Sequence, residues 1–276
     1  MRRRAPDRRT SSRSRRRERR DRCPPCPPVP EVARVAIAYD CLFPLDAGGG
    51  ERVYDALAER FVGRGWDVDY VTRTQWSEAD SPVRPYQVHG VWRGDIHDAT
   101  GDRTSGSALA FAFALFRWFR RHGRHHDLAV VAALPVLNVF AVRLALLGSG
   151  VPIVTDWLEV WGARKWREYA GPLVGTVATV LQWLGLRVGR VQTVNSAFTA
   201  RRIRAIRPAA DPVVLGLVDL AGLEPRRTAP ARPPVALFVG RHIADKRLAD
   251  LPAALAVARE RVPGLRAVVT GRGPES

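Results

Sequence analysis

Cysteine is scarce in this chain of 276 residues: Cys23, Cys26 and Cys41 are too few for a disulfide framework. Cys23 and Cys26 have metal-ligand spacing, but no second Cys/His pair completes a tetrahedral set. No carboxylate or histidine cluster points to a metal, and none is expected. Long apolar runs are missing too. The nearest, residues 128–147, is interrupted by Pro135, Asn138 and Arg143 and reads as a strand followed by a helix. No apolar segment follows the basic start, so a secretory signal is set aside and a cytoplasmic location is expected. Lysine is nearly absent, with Lys165 and Lys246 alone. The formal charge of +17 is therefore almost all arginine, and residues 1–22, with twelve Arg and three acids, carry +9 of it. Such an arginine skew with abundant Ala, Gly and Pro reflects a GC-rich coding sequence more than a polyanion partner. No nucleic acid is expected as a partner, whereas a basic surface suits anionic lipid headgroups or phosphorylated substrates.

What is present is a strand–helix alternation that starts near residue 32 and implies a parallel sheet covered on both faces. Strands are predicted over 35–39, 67–72, 87–92, 127–133, 151–155, 191–194 and 213–215, with helices between. The helix over 107–121 is rich in aromatics and ends in arginine, which fits a core helix with a solvated end or an interfacial helix on lipid. A long apolar helix is predicted over 171–188, and Asn195-Ser196 reads as the N-cap of a helix through Ile206. Residues 222–233, rich in Pro, Ala and Arg, read as a linker. The pattern then restarts with strands at 235–239 and 265–270 around a helix over 248–262. Residues 1–28 have almost nothing apolar to bury and read as a disordered arm. Three interpretations stay open for that arm: a nucleic-acid or membrane arm, or upstream sequence translated from a start assigned too early.

The organising stretch is the first strand and the helix behind it, joined through Gly48, Gly49 and Gly50. Bare backbone N–H groups at a helix N-terminus form a ready anion site; the alternative is a tight turn and nothing more. Gly48-x-Gly50-x-x-Val53 lacks the third glycine of the dinucleotide fingerprint, which weakens a nicotinamide or flavin reading. A second stretch, Asp156-Trp157-Leu158-Glu159, stands just beyond a predicted strand, where open α/β sheets place ligands. Asp156 and Glu159 could act as a catalytic base or hold substrate hydroxyls, with Trp157 stacking on a sugar face. Equally, the acids could cap the next helix, with the tryptophans packed beneath it.

Several segments together resemble the retaining nucleotide-sugar glycosyltransferases of family 4. Gly48-Gly49-Gly50-Glu51-Arg52 is similar to the family's glycine loop, and Thr193-Val194-Asn195-Ser196 with Phe198-Thr199 to its late strand-to-helix turn. Leu215-Gly216-Leu217-Val218-Asp219 resembles the stretch before the hinge. Phe238-Val239-Gly240-Arg241 followed by Lys246 resembles the donor-phosphate motif, and Gly271-Arg272-Gly273-Pro274 the turn after the next strand. The family's acceptor-side histidine has no counterpart after the strand at 151–155, where Asp156-Trp157 stands, and its Glu-x7-Glu motif would lie beyond Ser276.

The resemblance implies the two-Rossmann GT-B architecture in incomplete form: an arm over 1–28, an acceptor domain over 29–221, a linker over 222–233, and over 234–276 the first β-α-β of a nucleotide-sugar-binding domain. It implies retaining, metal-independent transfer from a nucleoside-diphosphate sugar, a co-substrate rather than a bound cofactor, to a hydroxyl of a cell-envelope glycan or lipid. The expected site comprises Arg241, Lys246, Gly48, Gly49 and Gly50 for the donor diphosphate, Asp156 and Glu159 as catalytic carboxylates, and Glu51, Trp157, Asn195 and Ser196 facing the acceptor. Peripheral contact with an anionic membrane, at the inner face of the cytoplasmic membrane, fits that acceptor. The rival readings are an NAD-dependent nucleotide-sugar epimerase or dehydrogenase, and a basic nucleic-acid-binding protein.

Overall fold

The computed structural model describes residues 32–46, 48–98, 103–215 and 232–276. The arm over 1–28, Cys23 and Cys26, Gly216 to Asp219 and nearly all of the linker lie outside the described residues. Seven strands form one sheet: β1 (Arg34–Ala38), β2 (Asp67–Arg73), β3 (Gln87–Trp92), β4 (Leu128–Ala132), β5 (Ile153–Trp157), β6 (Val191–Val194) and β7 (Val213–Val214). Their order is β3-β2-β1-β4-β5-β6-β7 and every pairing is parallel. The connectivity reverses between β1 and β4, so the crevice beyond their carboxyl ends is the place where such sheets bind ligands.

Side-chain alternation along β1 builds two cores. Ala36 and Ala38 face Phe111, Leu115 and Phe119 of α2 (Ser105–His122) and Val139 and Val142 of α3 (Leu137–Ala145). Val35 and Ile37 face Tyr54 and Ala58 of α1 (Gly49–Val62). The aromatic helix is thus a core helix, although Leu109 and Phe113 remain exposed on its outer side.

Two of the boundaries that differ from expectation bear on the site. β5 runs through Asp156 and Trp157 rather than stopping before them, because the polar residue finds buried partners. The predicted helix over 171–188 is preceded by a separate one: α4 (Ala163–Ala170) ends at Gly171, whose φ of 79° only glycine adopts readily, and α5 (Pro172–Gly185) starts at once. The two pack closely, since a Cβ on Gly175 would stand 2.4 Å from the Trp166 carbonyl oxygen. Ser196 caps α6 (Ala197–Ile206), accepting from the Thr199 N–H.

The last unit is β8 (Val235–Val239), α7 (Leu251–Arg261) and β9 (Arg266–Thr270), with β8 and β9 paired in parallel. Leu237, Val239, Val257 and Val268 are exposed, so this unit encloses no core of its own among the described residues.

One charged cluster holds the far edge of the main sheet. Asp69 of β2 accepts from His126 Nε2 at 2.8 Å, His89 Nε2 at 2.5 Å and Arg34 Nε at 3.1 Å, with the Trp118 ring beside both imidazoles. Burial alone would raise the Asp69 carboxyl, but hydrogen bonds and charge from His126 and His89 hold it well below the usual carboxylate range. A depressed carboxylate contributes stability that is present above its unfolded value, about 4, and lost as pH falls below it. Asp69→Asn should therefore cost about 3 kcal/mol at pH 7, the scale of breaking a buried ion pair. Urea titrations between pH 3 and 7 should show the variant losing less stability on acidification than the native chain.

Candidate functional site

The loop leaving β1 at the switch point is held from several sides. Asp40, 1% exposed, is gripped by the two guanidinium nitrogens of Arg103, whose backbone N–H donates to the Tyr169 hydroxyl. Asp46 accepts from Arg73 at 2.7 Å and Gln75 at 2.8 Å, while Gln75 also takes the Leu42 N–H. Cys41 is buried in this loop, and burial first, then Asp40 and Asp46, push its thiol far up, so it is no nucleophile.

Gly48 is the N-cap of α1, and Gly49 and Gly50 are its first helical residues. A Cβ on Gly50 would stand 2.6 Å from the Tyr39 hydroxyl, which donates to Glu51 at 3.1 Å. Glu51 folds back so that its carboxylate reaches 2.1 Å from where a Gly48 Cβ would be. The helix N-terminus therefore already has a negative group of its own, which complements the dipole.

Asp156 and Glu159 are not brought together. Asp156, 6% exposed at the end of β5, accepts from the Tyr54 hydroxyl of α1 at 2.7 Å and from the Thr193 hydroxyl of β6 at 2.5 Å. Burial pushes this carboxyl up, and the bonds from Thr193 and Tyr54 recover only part of that shift. Glu159 instead accepts from Trp161 Nε1 at 2.7 Å near the surface. Neither acid caps α4, whose N-cap is Gly162. Trp157 does not face a cleft: it is 2% exposed and its Nε1 donates to Thr155, so the sugar-stacking role expected of it is corrected to a core role.

An open pocket of about 360 Å³ lies beyond the carboxyl ends of β5 and β6. Glu159 and Trp161 line it from the β5 side, Lys165 from α4, and Asn195, Ser196, Phe198 and Arg202 from the β6–α6 turn. Three of the expected site residues, Glu159, Asn195 and Ser196, thus meet in one place. The Phe198 ring is exposed with Arg201 and Arg202 about 6 Å from its centre, and Lys165 lies 5.6 Å over Trp161. Sequence reasoning missed Lys165, Phe198 and Arg202 as a group, since they come from separate segments and only the fold unites them.

In the last unit, Gly240 ends β8 and Arg241 and Lys246 follow on an exposed loop, Lys246 closing a single 3₁₀ turn. That loop is stitched to the turn after β9. The His242 N–H donates to the Arg272 carbonyl, and the Glu275 N–H to the His242 carbonyl. Only glycines fit there: a Cβ on Gly271 would lie 1.8 Å from the Gly240 oxygen, and one on Gly273 2.1 Å from the His242 oxygen. His97, from the segment between β3 and α2, has its pKa lowered by burial and by the charges of Arg103 and Arg241.

A parallel sheet with a switch-point crevice, followed by a restarting β-α-β unit, is the arrangement of an incomplete GT-B protein. The family model for Glycosyltransferase Family 4 matches residues 47–215, more than half of the chain, and the chain belongs to that family. Among solved structures it is similar to sucrose-phosphate synthase from Thermosynechococcus elongatus, with a TM-score of 0.68 at 15% identity over 87% of this chain and 62% of that one. The catalytic domain of starch synthase IV from Arabidopsis thaliana gives 0.54 at 11%, over 87% and 68%. The apo lipopolysaccharide outer core galactosyltransferase WaaB gives 0.51 at 14%, over 88% and 62%. The chain thus spans about 62% of the length of the sucrose-phosphate synthase. A comparison with curated protein sequences found no match.

The Asp156 bridge makes a measurable claim. Tyr54→Phe removes one donor from a buried carboxylate and should cost about 1–3 kcal/mol. Because the carboxyl pKa then rises further, the deficit should grow in chemical denaturation as pH rises above the ordinary carboxylate range. A deficit independent of pH would show that Asp156 is not the group affected.

Proposed function

We propose that the whole protein moves a sugar from a nucleoside-diphosphate sugar to an acceptor hydroxyl, with retention at the anomeric carbon. Membership of family 4 over residues 47–215 carries this reading. The chemical demand is the negative charge that gathers on the leaving diphosphate, and preorganised cations in a water-poor crevice meet it best. Arg241 supplies a planar fork for two phosphate oxygens and Lys246 a compact charge. In this reading these two residues do the work that a metal does elsewhere, and no metal is invoked. The starch synthase relative was solved bound to ADP and acarbose, which agrees with a nucleoside diphosphate on the donor side.

The acceptor belongs in the pocket beyond β5 and β6. Glu159 and Asn195 are placed there to hold hydroxyls, the exposed Phe198 ring to cover an apolar sugar face, and Lys165 and Arg202 to favour an acceptor that carries negative charge. A glycan or lipid of the cell envelope has that chemistry, and a peripheral position at the cytoplasmic membrane follows from it. Asp156 acts as a positioning residue by fixing the helix behind Gly48, Gly49 and Gly50 against β5 and β6.

Calorimetric titration with ADP, GDP and UDP tests the donor half. Lys246→Ala should weaken the preferred diphosphate by about 1.5–3 kcal/mol, the worth of a charged hydrogen bond, and leave the bare nucleoside unchanged. Unaltered diphosphate affinity in both Lys246→Ala and Arg241→Ala would show the donor loop to be misassigned. For the acceptor half, Arg202→Ala should lower kcat/KM for the acceptor roughly tenfold, about 1.4 kcal/mol, with donor affinity intact. An equal loss for charged and neutral acceptors would exclude a charge-reading pocket.

A further inference from the structure

α5 contains no charged residue, and much of its circumference meets solvent. Leu173, Val177, Val180 and Leu184 follow one another at helical spacing along a single stripe, at 78%, 51%, 52% and 40% exposure, with Val174 and Trp183 beside them. The other side is spent on packing. Gly175 lies on the α4 backbone, Gln182 is bonded to the Trp161 backbone, and a Cβ on Gly185 would meet Val136. A helix that is apolar all round belongs inside a protein or against a hydrocarbon phase.

The surroundings of this stripe are basic. Arg164 and Arg167 are exposed on α4, Arg187 stacks on the Trp183 ring at 3.5 Å, and Arg190 is exposed beyond it. Residues 163–190 hold five basic groups and one acid, Glu168, which is itself paired with Arg164 at 2.7 Å. With 14 residues, α5 is about 21 Å long. That falls short of the roughly 30 Å of a bilayer core, and no helix among the described residues is long and apolar enough to cross. A short helix with valine, leucine and tryptophan outward and arginines at its flanks has the composition that settles into a bilayer interface carrying negative headgroups.

We propose that the outer face of α5, with Arg164, Arg167, Arg187 and Arg190 around it, docks this protein on an anionic membrane surface. The consequence for catalysis rests on the transferase reading above. α4 packs on α5 through Trp166 and Arg167 and contributes Lys165 to the acceptor pocket, so docking brings that pocket close to the headgroup layer. An acceptor anchored by a lipid would then reach the site without leaving the bilayer.

Vesicle flotation of the full chain tests the docking face directly. The chain should float with phosphatidylglycerol–phosphatidylcholine vesicles and far less with phosphatidylcholine alone. Val177→Asp with Val180→Asp should weaken that binding at least tenfold while the circular dichroism spectrum and thermal midpoint hold, since both side chains are exposed. Arg187→Glu with Arg190→Glu should do the same by charge. Vesicles with brominated acyl chains should quench tryptophan emission, and Trp183→Phe should remove most of that quenching. Unchanged flotation in the Val177/Val180 variant overturns the proposal, including the case in which residues 1–28 do the binding. So does a dimer, seen by sedimentation, that the same variant dissociates. Nucleoside-diphosphate affinity, measured alongside, separates failure of this docking face from failure of the transferase reading.

Discussion

A buried carboxylate organises the functional edge of this sheet. Asp156 ends β5 inside the protein, where ionisation is costly, and it is tolerable only because two hydroxyls donate to it. One hydroxyl comes from the helix that starts at the glycine loop, the other from the neighbouring strand. Three elements far apart in sequence are thereby fixed at one point, and both the switch-point loop and the pocket beyond β5 and β6 take their positions from it. Asp40, held by Arg103, performs a similar service one strand away. Asp156, expected as a catalytic carboxylate, is buried between Tyr54 and Thr193.

Much of the fold was legible because apolar runs bounded by turn residues have few alternatives. The strands at 87–92, 191–194 and 235–239 were read to the residue. The end of β5 was misplaced because an aspartate in an apolar run looks like a strand terminus, and its partners, Tyr54 and Thr193, are 102 and 37 residues away. α4 was passed over for a related reason. It is eight residues long with three basic side chains and none buried, so its apolar pattern is too short to stand out from the loop before it.

The site was legible in pieces. Local motifs identified Gly48 to Gly50, Asn195-Ser196 and the Arg241–Lys246 loop, because each is a turn with an unusual demand on backbone or charge. The partners that complete them were hidden. Nothing near Lys165 suggests that it meets Arg202 across a pocket, and nothing near Gly271 suggests that its missing side chain makes room for the Gly240 carbonyl. Glu51 was expected to face the acceptor; in space it accepts from the Tyr39 hydroxyl and folds back beside Gly48.

Gly175 sets a dimension that it never touches. The carbonyl of Trp166 leaves no room for a side chain there, so α4 rests directly on α5 as a spacer of fixed thickness. Any larger residue at this position would act as a shim, displacing α4 and with it the Lys165 wall of the pocket. The bore of the pocket is thus calibrated from behind. Within such a scaffold, the width of a pocket can be altered by exchanging a single small residue in a helix crossing, with every residue that lines the pocket left as it is.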